Sequence, residues 1–124
     1  MNKLKLITFI ILAIVAKTSF SQYYTEGKTP QRIIINLTAT PTKSMAVTWR
    51  TVDEVTKPMV EFAEATVWTE IDSIAKPIVA KSKPFTTDKR FTVYQHSAII
   101  DGLKPNTLYA YRVGGDSIWS EWNQ

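Results

Sequence analysis

Residues 101–113 read DGLKPNTLYAYRV, and this stretch decides the fold. Pro105 fixes the backbone angle at a corner of the chain. The Leu103 side chain can fill the core at one end of a β-sandwich. Tyr109 follows at the spacing of a tyrosine corner, in which the ring is buried and the hydroxyl hydrogen-bonds the backbone a few residues upstream. An ordinary buried strand tyrosine is the alternative, but the Leu-x-Pro-x-Thr-x-Tyr spacing favours the corner. The stretch therefore predicts a Greek-key β-sandwich.

Short β-type runs separated by turn residues surround this stretch, as expected for a sandwich. Within residues 44–51, Met45, Val47 and Trp49 alternate with smaller or polar residues, the period-2 pattern of a strand with one buried face. Trp49 supplies the central core aromatic. The predicted strands span 32–38, 44–51, 59–63, 78–83, 91–100, 108–114 and 118–122. The fold class is all-β: an immunoglobulin or fibronectin type III-like sandwich of about seven antiparallel strands.

Three details of this pattern are less regular. In residues 64–77 the apolar side chains sit near helical spacing, so a short helical turn and a long loop with a weak edge strand are equally compatible with the sequence. Residues 84–90 indicate a polar hairpin or loop, and Gly-Gly-Asp at 114–116 signals a tight hairpin. On the strand 91–100 the predicted inward set is Tyr94, His96, Ala98 and Ile100.

The first 21 residues are predicted to be a secretory signal peptide. Lys3 and Lys5 give a positive start, residues 6–16 are apolar except for Thr8, and Ser-Phe-Ser at 19–21 offers a cleavage site after Ser21. A membrane anchor is the alternative, but the apolar run is shorter than the ~20 residues that span a bilayer. We expect a flexible lead-in at 22–29, one domain at 30–124, and secretion to the periplasm or the extracellular space.

Charge and cysteine content narrow the function classes. The chain carries a net charge of +4, but without Lys3, Lys5 and Lys17 the remainder has 12 basic and 11 acidic residues. Such a balance gives little support for nucleic-acid or membrane-surface binding. The chain has no cysteine, which excludes disulfides, a thiol nucleophile and a zinc–thiolate site. Asn36-Leu37-Thr38 is a glycosylation sequon, used only by a host with that machinery.

Few side chains suggest chemistry, and each has a simpler interpretation. His96 is the only histidine, so it cannot form a typical multi-ligand metal site, and a packed, hydrogen-bonded core histidine is favoured. Asp53, Glu54 and Asp72 could bind calcium weakly, although solvated loop acids are far more common. We therefore predict no catalytic, cofactor-binding or metal-binding residue in this chain.

Two further patterns have structural interpretations. Residues 119–123 read WSEWN, close to the Trp-Ser-x-Trp-Ser word of cytokine-receptor domains, and Arg112 could stack on the tryptophans by cation–π contact as a local packing device. A basic region could draw an anionic ligand, but lysines routinely blunt exposed edge strands, which is the favoured interpretation. This region contains Lys76, Lys81, Lys83, Lys89 and Arg90.

Several short sequence motifs, taken in order along the chain, make it resemble the N-terminal domain of purple acid phosphatases. The matching motifs lie at 30–33, 44–51, 58–63, 96–100, 102–105, 109–114 and 119–120. The resemblance thus covers nearly all of residues 30–122. The predicted structural residues within it are Trp49, Leu103, Pro105, Tyr109, Tyr111, Arg112 and Trp119.

The resemblance implies that this sandwich precedes a separate metallophosphatase domain, which holds two metal ions and hydrolyses phosphate monoesters. It transfers no catalytic residue to the present chain. We therefore expect a non-catalytic accessory module of a secreted phosphatase, present here as a fragment or a truncated reading frame. A free-standing extracellular binding or adhesion module is the alternative, because such sandwiches serve many tasks.

Overall fold

The structure is a computed structural model that describes residues 27–65, 68–88 and 90–124. The predicted signal peptide, residues 1–21, lies outside the described residues. Gly27 contacts the domain, because its carbonyl oxygen accepts hydrogen bonds from the Val52 and Asp53 amides at 3.1 and 3.0 Å. The end of the predicted lead-in is therefore attached to the sandwich. No helix of the described chain is long and apolar enough to cross a membrane.

Within the described residues, eight strands form two antiparallel four-stranded sheets, which confirms the predicted all-β sandwich. The first sheet has the order β1-β2-β6-β5 and the second β4-β3-β7-β8. A short helix, α1 (Trp68–Ile74), lies between β3 and β4. The strands are β1 (Gln31–Leu37), β2 (Met45–Thr51), β3 (Met59–Glu64), β4 (Lys76–Val79), β5 (Lys81–Thr86), β6 (Thr92–Ile100), β7 (Tyr109–Gly115) and β8 (Ile118–Trp119).

The additional strand arises where the sequence predicted a single strand at 78–83, and that prediction is wrong. The chain leaves the second sheet after β4 and enters the first sheet at β5. Ala80 makes the crossing, with its side chain buried and its amide donating to the Pro58 carbonyl at 2.8 Å. A small residue fits at this crossing because the side chain points into the core. The predicted loop at 84–90 also begins later, since β5 extends to Thr86.

The ambiguous segment 64–77 contains both features that its sequence allowed. Helix α1 covers Trp68–Ile74, and the edge strand β4 begins two residues later. Ile71 is completely buried and packs with Ala63 of β3 and Ala110 of β7. The helix therefore covers part of the second sheet on the side away from the first.

The main core fills the space between the sheets. Trp49 is 2% exposed, as expected of the central aromatic residue. Of the predicted inward set on β6, three members are buried and Tyr94 is half-buried. The main core cluster contains Val47, Trp49, Val60, Ala80, Ala98, Ile100 and Val113.

A tight hairpin joins β7 to β8, as the Gly-Gly-Asp signal predicted. Asp116 and Ser117 have φ values of 50° and 68°, the two positive angles of a type I′ turn. Gly115 precedes the turn with φ at 150°, and a Cβ there would lie 2.4 Å from the Lys57 carbonyl oxygen. The hairpin thus packs so closely on the β2–β3 loop that only glycine fits.

We expect Gly115→Ala to lower the free energy of unfolding by about 2–4 kcal/mol, because the methyl group must displace backbone. Gly102→Ala is the matched control, since Gly102 has φ of 72° and no atom within 4 Å of an added Cβ. Gly102→Ala should lower the free energy of unfolding by only about 1 kcal/mol. Urea unfolding measures both, and equal losses would contradict close packing at the hairpin.

Candidate functional site

The tyrosine-corner stretch crosses from the first sheet to the second. The Lys104 amide donates to the Tyr109 hydroxyl at 3.0 Å, so the ring reaches back over the turn to the incoming chain. Leu103 is half-buried against the main core, and its amide donates to the Lys43 carbonyl at 2.8 Å. The crossing is therefore attached at both of its ends.

The turn within the crossing has the backbone that its sequence favours. Asn106 takes φ of 53°, a left-handed angle that asparagine tolerates better than most residues. The Thr107 hydroxyl donates to the Pro105 carbonyl at 3.1 Å. Downstream, Tyr111 is half-buried against the main core, and burial raises the pKa of its phenol.

Arg112 lies between the rings of Trp119 and Trp122, with its guanidinium carbon 4.8 and 4.7 Å from their centroids. Its nitrogens also pair with Glu61 on β3 at 2.7 Å and with Asp72 of α1 at 3.0 Å. This arrangement joins helix α1, the strands β3, β7 and β8, and the C-terminal segment. Since two carboxylates neutralise the guanidinium and two rings cover it, we assign this cluster to stability rather than to ligand binding.

Asp116 at the hairpin tip forms a second cluster, which sequence reasoning missed. Its carboxylate accepts from the amides of Thr56 and Lys57 at 2.9 and 3.3 Å, and from the Lys28 ammonium at 2.7 Å. The Lys28 ammonium and the Thr56 amide lower its pKa from 3.8 to about 2. An acidic residue in a tight turn was the only local signal, because its partners lie far away in the sequence.

His96 is 1% exposed and packs against Trp49, with 5.2 Å between ring centroids. Its Nε2 lies 2.8 Å from the Thr51 hydroxyl, which donates its own proton to the Asp53 carbonyl at 2.7 Å. The threonine oxygen must therefore accept, so Nε2 carries the imidazole proton. Burial lowers the histidine pKa, which keeps the ring neutral.

The acidic residues considered as calcium ligands are separated by the fold. Asp72 is paired with Arg112 beside the second sheet, whereas Asp53 and Glu54 lie in the loop after β2. Within the ranges that the structure describes, no three histidine, cysteine or acidic residues come together as a metal-binding group.

A groove lies on the outer face of the first sheet, which faces away from the second sheet. We call it the outer groove. It has a volume of about 980 Å³, and its lining includes Arg32, Arg50, Lys81, Lys83, Phe85 and Val93. Of the basic region in the sequence, Lys81 and Lys83 line it, Lys76 lies on β4 of the other sheet, and Lys89 is outside the described residues.

Arg32 and Arg50 of the outer groove are residues that sequence reasoning did not select. Arg50 follows the buried Trp49, so strand alternation alone places it on the outer face. Its proximity to the lysines of β5 depends on the strand order, which brings β2 and β5 to either side of β6. Only the fold shows that these cations share one surface.

These features define the class of protein: an eight-stranded β-sandwich module of the fibronectin type III kind, closed by a tyrosine corner. The chain belongs to the purple acid phosphatase N-terminal domain family, whose model matches residues 30–124. The fold is similar to the structure of purple acid phosphatase PPD1 from yellow lupin (Lupinus luteus) seeds, with a TM-score of 0.56 and 19% sequence identity. The match covers 79% of this chain but only 19% of the lupin chain. The sequence matches none of the curated proteins with which it was compared.

The neutral, buried state of His96 predicts a specific pH dependence of stability. Unfolding exposes the imidazole and restores its pKa to about 6.5, so below that pH the unfolded chain takes up a proton that the folded chain resists. We expect stability to fall as the pH drops below 6.5 and His96→Leu to remove this dependence. The Thr51→Val variant should have a lower free energy of unfolding at every pH but the same pH dependence, since the histidine stays buried.

Urea midpoints between pH 7.5 and 5 measure this effect in the three proteins. Asp116 does not interfere, because its carboxylate loses stabilising contacts only as the pH falls from 3.8 toward 2. An unchanged slope in the His96→Leu variant would show that another group titrates in this window.

Proposed function

We propose that this chain is the non-catalytic N-terminal accessory module of a secreted purple acid phosphatase-like metallophosphatase. Hydrolysis of phosphate monoesters, with the two-metal centre that it needs, is assigned to a domain downstream of residue 124. The observation that carries the proposal is the family match over residues 30–124, a range that contains all the described strands. The apolar N-terminal stretch with its small-residue cleavage site supports secretion.

The uses of the ionisable side chains support an accessory role. His96 is buried and neutral in the core, and Glu61 and Asp72 are paired with Arg112. Asp116 holds the hairpin against the β2–β3 loop. Each of these groups contributes to the fold, and none lies beside an activated nucleophile in the arrangement that covalent catalysis requires.

A free-standing extracellular binding module is the second candidate, and the outer groove is the observation that favours it. Both candidates use the same sandwich, so the fold does not separate them. They differ in what the gene encodes after codon 124. An in-frame metallophosphatase region favours the accessory module, whereas a stop codon directly after codon 124 favours the binding module.

The accessory proposal predicts that the purified chain alone does not hydrolyse a chromogenic phosphate ester, with or without added divalent metal ions. A protein extended through the downstream reading frame should hydrolyse the ester in a metal-dependent manner. The control is the same metal solution without protein. Metal-dependent turnover that co-purifies with the short chain, and disappears when that chain is unfolded, would contradict the proposal.

A further inference from the structure

Strand register arranges the cations of the outer groove in order. Arg50 of β2 and Lys83 of β5 both pair with Gln95 of β6, so these three residues form one row across the sheet. Adjacent strands lie about 4.8 Å apart, which places the Arg50 and Lys83 backbones roughly 10 Å from each other. In the next row, Thr48 and Lys81 both pair with Ser97.

Within the described residues, no acidic side chain forms an ion pair with these cations. The ion pairs within the described residues engage Lys28, Lys104 and Arg112, and none engages a cation of the outer groove. Asp88 is the one acidic side chain among the described lining residues. The outer groove therefore presents a surface of excess positive charge that is complementary to an anion.

Arg50 is positioned and still has unused donors. Its Nη2 donates to the Gln31 side-chain oxygen at 2.8 Å, which restrains the guanidinium. Its Nε is buried and makes no hydrogen bond within the described structure, and the same holds for the Thr87 hydroxyl oxygen. Unpaired buried polar atoms are uncommon in folded proteins, and these two belong to side chains that line the outer groove.

Neutral groups lie between and beside the cations. Thr48, Gln95 and Ser97 offer hydroxyl and amide groups on the two rows, and the Phe85 ring is 53% exposed at the edge. A sugar chain that contains uronic acids or sulfate esters presents complementary groups: hydroxyls along its length, a flat ring face and anionic groups at intervals. A single-stranded nucleic acid carries a phosphate at every nucleotide and stacks its bases on several aromatic faces, which this surface matches less well.

We propose that the outer groove binds an anionic polysaccharide. Carboxylate or sulfate groups of the sugar chain pair with Arg50 and Lys83, and its hydroxyls hydrogen-bond with the neutral side chains of the two rows. One sugar ring packs on Phe85. This inference does not depend on a downstream catalytic domain, because every group that it uses belongs to the first sheet and the turn after β5.

The test is calorimetric titration of the purified chain with polygalacturonate and with heparin, in low salt and again in physiological salt. The variant is Lys81→Gln/Lys83→Gln in the outer groove. The matched control is Lys43→Gln/Lys76→Gln, which removes the same charge from exposed positions outside it. Neutral dextran and a single-stranded oligothymidine are the comparison ligands, and circular dichroism verifies that each variant is folded.

We expect at least one of the two anionic polysaccharides to bind, and the groove variant to weaken that binding by about tenfold or more. The control variant should change it by less than about threefold, and dextran should not bind. Phe85→Leu should weaken binding without changing its salt dependence, because it alters the ring contact and not the charge.

Three results would overturn the proposal. One is absence of binding to both polysaccharides in low salt. Another is equal weakening by the groove variant and the control variant, which would indicate attraction to overall charge alone. The third is tighter binding of oligothymidine than of either polysaccharide, which would assign the surface to nucleic acid instead.

Discussion

The hydrogen bond from the Lys104 amide to the Tyr109 hydroxyl closes the crossing between the two sheets, and the rest of the structure depends on that crossing. A chain without cysteine has no disulfide between its sheets, so core packing and the contacts within its connections must hold them together. Strand β6 of the first sheet ends at Ile100, and the next strand, β7 of the second sheet, begins at Tyr109. Leu103 packs against the main core between these two points of the chain, so the corner sets where β7 starts.

The position of β7 then determines both clusters that stabilise the second sheet. Pairing of β7 with β3 places Arg112 opposite Glu61, and the two tryptophans cover the guanidinium. Four residues further along, Asp116 reaches the amides of the β2–β3 loop. Most of the paired charges are thus on the second sheet and its connections, whereas the cations of the first sheet's outer face remain available to a ligand.

Much of the fold could be predicted from local patterns, because alternation of apolar residues reports which face of a strand is buried. The spacing around Tyr109 and the two tryptophans near Arg112 are also local signals. In the structure the Tyr109 hydroxyl accepts from the Lys104 amide, and both tryptophan rings contact Arg112. The split at Ala80 could not be predicted, since a strand that changes sheets keeps its alternation. Contacts between residues far apart in the sequence could not be predicted either. Asp116 meets Thr56 sixty residues away, and Arg50 approaches the β5 lysines only through the strand order.

The central claim is that the Tyr109 hydroxyl, and not merely its half-buried ring, holds the crossing. The most direct measurement is the free energy of unfolding of Tyr109→Phe beside Tyr111→Phe, because the described residues provide no hydrogen bond to the Tyr111 hydroxyl. The account predicts a loss of about 1–2 kcal/mol for Tyr109→Phe, since the Lys104 amide loses its partner, and little change for Tyr111→Phe. Equal stability of the Tyr109→Phe variant and the unaltered chain would contradict it.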